Sequence, residues 1–291
     1  MHHDAPRHTR EHAHDIDWDA LCSHLEREAE LHTPALIQAT HWLRDLLGVA
    51  GVRRALDVGS GPGVVASLLA DAFPDAEVVA VDQSPALLER ARTRSAGRIA
   101  TRQVDLPDEF GRLGTADLIW SANAIHHLSD QQAALTALAT SLRRPGGLLA
   151  VAERGLPVRF LPRDIGLGRP GLQARLDAGN EDGFTTMRTE LPGSVDEVED
   201  WPAMLARAGL VPTGTRTFLT DLPAPLGLPA REYLRTRLAR QRDQFGEHLD
   251  DQDRAALDAL LAADAPTSIL WRPDAFYLTA TTVHTARACT A

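Results

Sequence analysis

The sequence predicts a doubly wound α/β fold with a mainly parallel sheet, and three observations carry that reading. Between residues 54 and 153, short apolar runs alternate five times with helix-period patterns, as strands do when crossover helices join them. The first run enters a glycine turn, Gly59-Ser60-Gly61-Pro62-Gly63, immediately ahead of a helix pattern. An acid marks each of the first three strands, Asp57 within the first and Asp82 and Asp105 closing the next two.

Residues 1–15 carry five histidines and almost no apolar side chain, so they predict a flexible, solvated tail. Trp18, Leu21, Cys22, Leu25 and Ala29 recur at helical spacing, and Thr33-Pro34 has the residue types of a fresh helix start leading to Leu36, Ala39, Leu43 and Leu46. Residues 16–50 therefore predict two cap helices. Across 51–154 strands are expected at 55–58, 77–82, 98–104, 117–121 and 148–152. Val64, Leu68, Leu69 and Ala72 define a helix that ends at Phe73-Pro74. Ser84-Pro85 opens the next, and Ser129 with Gln132 forms a capping box before Leu135 and Leu138. Residues 155–193, rich in Gly, Pro and Arg, are too long for a simple connection and predict a lid or pocket wall. Within 194–291, the C-terminal part of the core, a Ser194–Glu197 capping box precedes a helix through Trp201 and Leu205. Strands follow at 210–219 and 276–285, with inserted cap helices at about 230–270.

With 44% hydrophobic and 24% charged residues among 291, the chain can bury a sizeable core. No stretch approaches the roughly 18 apolar residues of a membrane helix, and the His-rich start is unlike a signal peptide, so a cytoplasmic protein without membrane contact is expected. The net charge of −10 opposes broad nucleic-acid binding, which needs basic surface. Cys22 and Cys289 lie far apart without metal-finger spacing, so neither a metal nor a disulfide framework is expected.

A dinucleotide fingerprint would place its third glycine at position 64, where Val64 stands, so the turn reads GxGxG. Asp57, two residues before the first glycine, suits a cationic group better than a pyrophosphate. Asp82 is placed to accept hydrogen bonds from two ribose hydroxyls. Asp105 beside Leu106 can hold the amino group and the face of adenine. Together these strand ends describe an adenosine pocket without a phosphate requirement.

These segments resemble the class I S-adenosylmethionine-dependent methyltransferases. Asp57 to Gly63 is similar to that family's first motif, Val81-Asp82-Gln83-Ser84 to its ribose motif, and Val104-Asp105-Leu106 to its adenine motif. Residues 117–128 resemble its fourth-strand motif, and Arg144-Pro145-Gly146-Gly147 the turn into strand five. The resemblance covers about a third of the chain. It implies a Rossmann-like, seven-stranded sheet with an antiparallel last strand, S-adenosylmethionine as cofactor and S-adenosylhomocysteine as product. By the same resemblance Gly59, Ser60 and Gly61 line the methionine moiety, Asp82 holds the ribose, and Gln83, Asp105 and Leu106 surround adenine. Ser121 and Asn123 approach the methionine end. Gly63 reads equally well as helix–strand packing and is left unassigned. Homodimerisation through the N-terminal helices is a further expectation by family precedent.

Methyl transfer from a sulfonium is an in-line displacement, in which a protein positions donor and acceptor and, where needed, takes a proton. His126 and His127, after strand four, and Glu153, ending strand five, are the candidate bases. Only Phe73, Phe110 and Trp120 among the aromatic residues fall within 51–153. Trp18, Phe160, Phe184, Tyr233 and Trp271 are thus left to wall an acceptor cavity in the cap. The expected acceptor is a small aromatic or heteroaromatic molecule of natural-product metabolism, methylated at O, N or C. A cyclase-like or non-catalytic protein that keeps the donor site is the alternative. An NAD-dependent oxidoreductase is disfavoured by Val64 and by the Asp105 segment.

Overall fold

The computed structural model describes residues 18–48, 51–106 and 109–289; the expected tail at 1–15 lies outside them. Seven strands form one sheet: β1 (Arg54–Val58), β2 (Glu77–Asp82), β3 (Ala100–Gln103), β4 (Leu118–Ala122), β5 (Leu148–Arg159), β6 (Leu210–Leu222) and β7 (Tyr277–Ala288). Their order is β3-β2-β1-β4-β5-β7-β6. The first five run parallel, and β7, last in sequence, is antiparallel to both β5 and β6. This is the Rossmann-like arrangement the sequence predicts. The order reverses between β1 and β4, so the connections leaving their carboxyl ends diverge and make the crevice where ligands of such sheets bind.

Central strands are apolar on both sides because helices cover both faces. α1 (Trp18–Leu47), α2 (Val64–Ala72) and α3 (Pro85–Arg94) share one face, where Leu43, Leu69, Phe73, Leu88, Leu118 and Trp120 form a buried core. α4 (Gln131–Thr140) and α6 (Trp201–Arg207) cover the other, around Leu56, Ile119, Leu135, Leu149 and Met204. A third core, with Phe160, Leu176, Tyr233, Leu257 and Tyr277, belongs to a cap built on α5 (Leu172–Glu190), α7 (Leu228–Phe245) and α8 (Asp251–Leu261). Among the described residues no helix is long and apolar enough to cross a membrane.

The N-terminal region departs from expectation: Trp18–Leu47 is one helix of 30 residues with Pro34 inside it, not two. Cys22, Leu36, Ala39 and Leu43 are buried at spacings that keep a single face running past the proline, so packing outweighs the break. Proline has no N–H for the Glu30 carbonyl, and the Thr33 hydroxyl turns back onto the Ala29 carbonyl at 3.2 Å instead of capping a new helix.

Two capping boxes also shift. Asp130 rather than Ser129 caps α4, accepting the Ala133 N–H at 2.8 Å. Gln132 instead joins α4 to α6, donating to the Met204 carbonyl at 3.1 Å and accepting from Arg207 Nε at 3.0 Å. Asp200 rather than Ser194 caps α6, whose first turn contains Pro202, the part of a helix where proline fits. β5 runs on from the expected end at 152 to Arg159. Its pairing with β7 steps between Arg154 and Leu156, at Gly155, where a Cβ would lie 2.8 Å from the Ala280 carbonyl oxygen. Residues 155–193 thus divide into the end of β5, a connection and α5.

Pro34 is exposed within a helix, so Pro34→Ala should stabilise the protein by up to about 3 kcal/mol, read as a higher denaturation midpoint. An unchanged midpoint would mean that the chain breaks there into two helices.

Candidate functional site

β1 delivers Asp57, whose buried carboxylate accepts the Ala66 N–H at the start of α2. It does what a capping side chain would do, since the N-cap residue, Gly63, has none. Asp57 Oδ2 is shielded from solvent and has no hydrogen-bond partner. Burial pushes the Asp57 pKa up to about 7, against the opposing Ala66 N–H and with a smaller push from the Asp82 charge. A cationic amine at Oδ2 would relieve that cost.

The glycine turn is tied to β2, with the Gly59 and Ser60 N–H groups donating to the Val81 carbonyl at 2.9 and 3.0 Å. Gly59 and Gly61 hold φ of +71° and +53°, the left-handed region that favours glycine. A Cβ on Gly59 would lie 2.4 Å from Ala124 Cβ, whereas one on Gly61 would meet nothing within 4 Å. Gly61 therefore borders open space that ligand atoms can fill. The nearby Ser60 Oγ is shielded and has no hydrogen-bond partner. Gly63 serves packing, since its Cβ would come within 2.4 Å of Ala91 Cβ in α3.

Asp82 closes β2 with Oδ2 on the Gly61 N–H at 2.8 Å and Oδ1 on the Ser84 N–H at 3.0 Å. Each oxygen keeps a second acceptor site that suits a ribose hydroxyl. Burial raises the Asp82 pKa, opposed by the backbone N–H groups of Ser84, Gly61 and Gln83. Gln83 and Asp105 are exposed and Leu106 half-buried, forming a rim where β2 and β3 end. Ser121 is buried and donates its hydroxyl to the Val58 carbonyl at 2.9 Å. It therefore ties β4 to β1 and keeps no proton for a ligand. Asn123 is exposed at φ +48°, which asparagine tolerates better than most residues. An orphaned buried carboxylate oxygen, a glycine facing open space and an acid with spare acceptor sites together fit a nucleoside carrying an amino group.

The three candidate bases meet. His126 and Glu153 are buried; His126 Nδ1 lies 2.6 Å from Glu153 Oε2, and His126 Nε2 lies 3.1 Å from His127 Nε2. A carboxylate at Nδ1 assigns the ring proton to that nitrogen. α5 roofs the group. Phe184 sits edge-on to His126 with centroids 5.4 Å apart, and Arg188 donates to the carbonyls of Leu128 and, at 3.3 Å, His126. At its other end Gln173 Oε1 accepts the Phe160 and Leu161 N–H groups, each at 3.0 Å. α5 is thus strapped from the end of β5 to the loop after β4. The sequence reading missed it, although Gln173, Asp177, Glu181, Phe184 and Arg188 repeat at helical spacing.

The other expected wall residues scatter. Phe160 is buried within the cap core, so it lines no cavity. Trp271 is 58% exposed and donates its indole N–H to the Ala263 carbonyl at 2.7 Å, folding over the surface. Tyr233 is buried and donates to Glu28 Oε1 at 2.9 Å. The Trp18 side chain lies outside the described residues. Among the described residues no group of three His, Cys, Asp or Glu is arranged to hold a metal ion.

An ammonium partner would pull the Asp57 pKa down from about 7. Below that pH the free protein must first lose the Asp57 proton, so the affinity for S-adenosylmethionine should fall by up to about tenfold per pH unit. Asp57→Asn should weaken binding and flatten the dependence. Calorimetric titration from about pH 5 to pH 8 checks this, and a pH-independent affinity would remove Asp57 from the amine site.

The profile of a family described as "Methyltransferase domain" matches residues 56–149. A trans-aconitate 2-methyltransferase of Methylobacterium radiotolerans is 41% identical over 102 residues, 34% of this chain and 37% of that enzyme. Over a longer span, the trans-aconitate 2-methyltransferase of Methylobacterium nodulans is 31% identical across 228 residues, covering 72% of this chain and 83% of the relative. A Bacillus halodurans structure assigned to the methyltransferases superposes with a TM-score of 0.50 at 16% identity, over 86% of this chain and 99% of that one, a likeness of fold. The chain belongs to the class I S-adenosylmethionine-dependent methyltransferases.

Proposed function

We propose that this enzyme methylates an oxygen, nitrogen or carbon nucleophile of a small molecule held between the His126–Glu153 pair and the cap. A cytoplasmic setting and no role for nucleic acid belong to the same reading. The observation that carries it is the Glu153–His126–His127 chain, set beside the strand ends that fit the donor and roofed by Phe184.

S-adenosylmethionine supplies an electrophilic methyl on its sulfonium and leaves as S-adenosylhomocysteine. Asp57 binds the amine, Asp82 the ribose hydroxyls, and Gln83, Asp105 and Leu106 border the base, while Gly59, Ser60 and Gly61 leave room for the methionine part. Asn123 and Ser121 fix the turn after β4. α5 covers the reacting atoms and excludes water. Glu153 holds the Nδ1 proton of His126 and thereby its orientation. His126 is buried and engaged at both ring nitrogens, so it positions its neighbour. His127 then donates its Nε2–H to His126 Nε2 at 3.1 Å, which leaves its Nδ1 as the atom that takes the acceptor's proton.

An aromatic acceptor of natural-product metabolism draws support from Phe184, the expected wall residue that lies against His126. The trans-aconitate relatives favour a second reading, an acidic acceptor, which Arg159 near the far end of α5 would suit.

His127→Ala should lower kcat by about 10²- to 10⁴-fold with S-adenosylmethionine still bound, and Glu153→Gln should lower it less. Release of S-adenosylhomocysteine measures both. Full kcat in His127→Ala would end its role as base, and tight donor binding without turnover on any small molecule would favour the non-catalytic alternative.

A further inference from the structure

A second cluster of polar side chains lies in the cap, and the proposed mechanism uses none of it. The Tyr233 hydroxyl on α7 donates to Glu28 Oε1 of α1 and accepts from Arg237 one turn further on. The His24 ring stacks on Tyr233 with centroids 4.8 Å apart. Tyr277, at the start of β7, meets Tyr233 edge-on at 6.0 Å and His32 Nε2 through its hydroxyl at 2.8 Å. Buried polar atoms are normally paired, yet Arg237 Nε and His24 Nδ1 are shielded from solvent without a hydrogen-bond partner. Burial, opposed by Glu28 and helped by Arg240, Arg237 and Arg27, lowers the His24 pKa to about 4. Its ring is therefore neutral near pH 7, so Nδ1 can donate or accept according to tautomer.

α5 links this cluster to the reaction centre. Asp177, Glu181, Phe184 and Arg188 recur at spacings of 4, 3 and 4 and share one helix face. Phe184 lies against His126. Asp177 pairs with Arg159 at 3.6 Å and is close enough to Arg237 to feel its charge. The seven steps from Asp177 to Phe184 span about 10 Å of helix.

We propose, resting on the reading above of a small-molecule methyltransferase, that His24, Tyr233 and Arg237 form the far pole of an acceptor pocket running along α5 from His126. The acceptor is an elongated molecule that carries a carbonyl or carboxylate oxygen at the end away from the atom to be methylated. Arg237 Nε–H donates to that oxygen, and the neutral His24 ring bonds beside it.

The test uses four probes with the full chain and S-adenosylmethionine. 4-Hydroxycinnamate and 4-hydroxycinnamamide carry an oxygen function far from a phenol, 4-ethylphenol lacks it, and trans-aconitate is compact. The KM of the first two should lie about tenfold or more below that of 4-ethylphenol, and Arg237→Met should bring the ratio to about one. Preference for the acid over the amide assigns a carboxylate; equal use assigns a carbonyl. Equal KM for all three phenols, a ratio untouched by Arg237→Met, preference for trans-aconitate, or no turnover of any phenol by protein that binds the donor would each overturn the proposal. Failure to bind S-adenosylmethionine would instead overturn the methyltransferase reading on which it rests. Thermal unfolding of His24→Phe and Arg237→Met without acceptor gives an independent check. An unchanged or higher midpoint fits residues kept for a ligand, and a fall of several degrees would make the cluster structural and overturn the proposal.

Discussion

The pairing of β5 with β7 beyond the edge of the parallel sheet is the interaction on which the rest of the molecule depends. The ladder passes Glu153↔Thr282 and continues to Arg159↔Leu278, and the Phe276 N–H then reaches the Phe160 carbonyl at 3.2 Å. By running on, β5 carries Phe160 into the cap core and presents two N–H groups to the Gln173 side chain. That bond fixes one end of α5, and Arg188 fixes the other on the carbonyls after β4. The ring of Phe184 over His126 is held between these two anchors.

Unsatisfied buried atoms recur, but they do not all mean the same thing. Trp120 Nε1 is also unbonded, in the middle of the sheet at 0% exposure, where close packing on every side leaves no room for a ligand. Asp57 Oδ2 differs because it belongs to a titratable carboxyl at the end of β1, just ahead of the turn whose Gly61 borders open space. Arg237 and His24 differ from Trp120 in another way, being half-buried members of one polar cluster with Tyr233. Such atoms lower the stability of the free protein, and a ligand that pairs them binds more tightly for that reason.

The geometry of the strand ends and the glycine turn was legible because it is local. A strand, a glycine turn with positive φ and an acid at the next strand end lie within thirty residues, from 54 to 82, so residue type and spacing nearly determine the geometry. The cap was not legible, because there tertiary packing decides. Pro34 reads as a helix start, yet one continuous apolar face carries the helix through it. Phe160 and Trp271 have the same composition-level signal as Phe184; the extension of β5 buries the first, and the loop after α8 leaves the second on the surface. The histidines and Glu153 could be named but not joined, since their contact crosses from the end of β4 to the end of β5.

On the proposed reading, donor and acceptor recognition rest on separate parts of the chain. The matched family profile covers 56–149, which contains Asp57, Asp82, Asp105 and both histidines but stops short of Phe184, Tyr233 and Arg237. Identity in that stretch carries the cofactor with it, because the residues proposed to hold the cofactor lie on the sheet edge it builds. It transfers the acceptor only as far as the cap is shared. The cap has its own buried core and joins the sheet through α1, α5 and the β5–β7 extension, so its side chains can change with little effect on the donor site. A relative with the same donor site and a different residue at position 237 would then be expected to take a different acceptor, a consequence of two cores joined by a few elements.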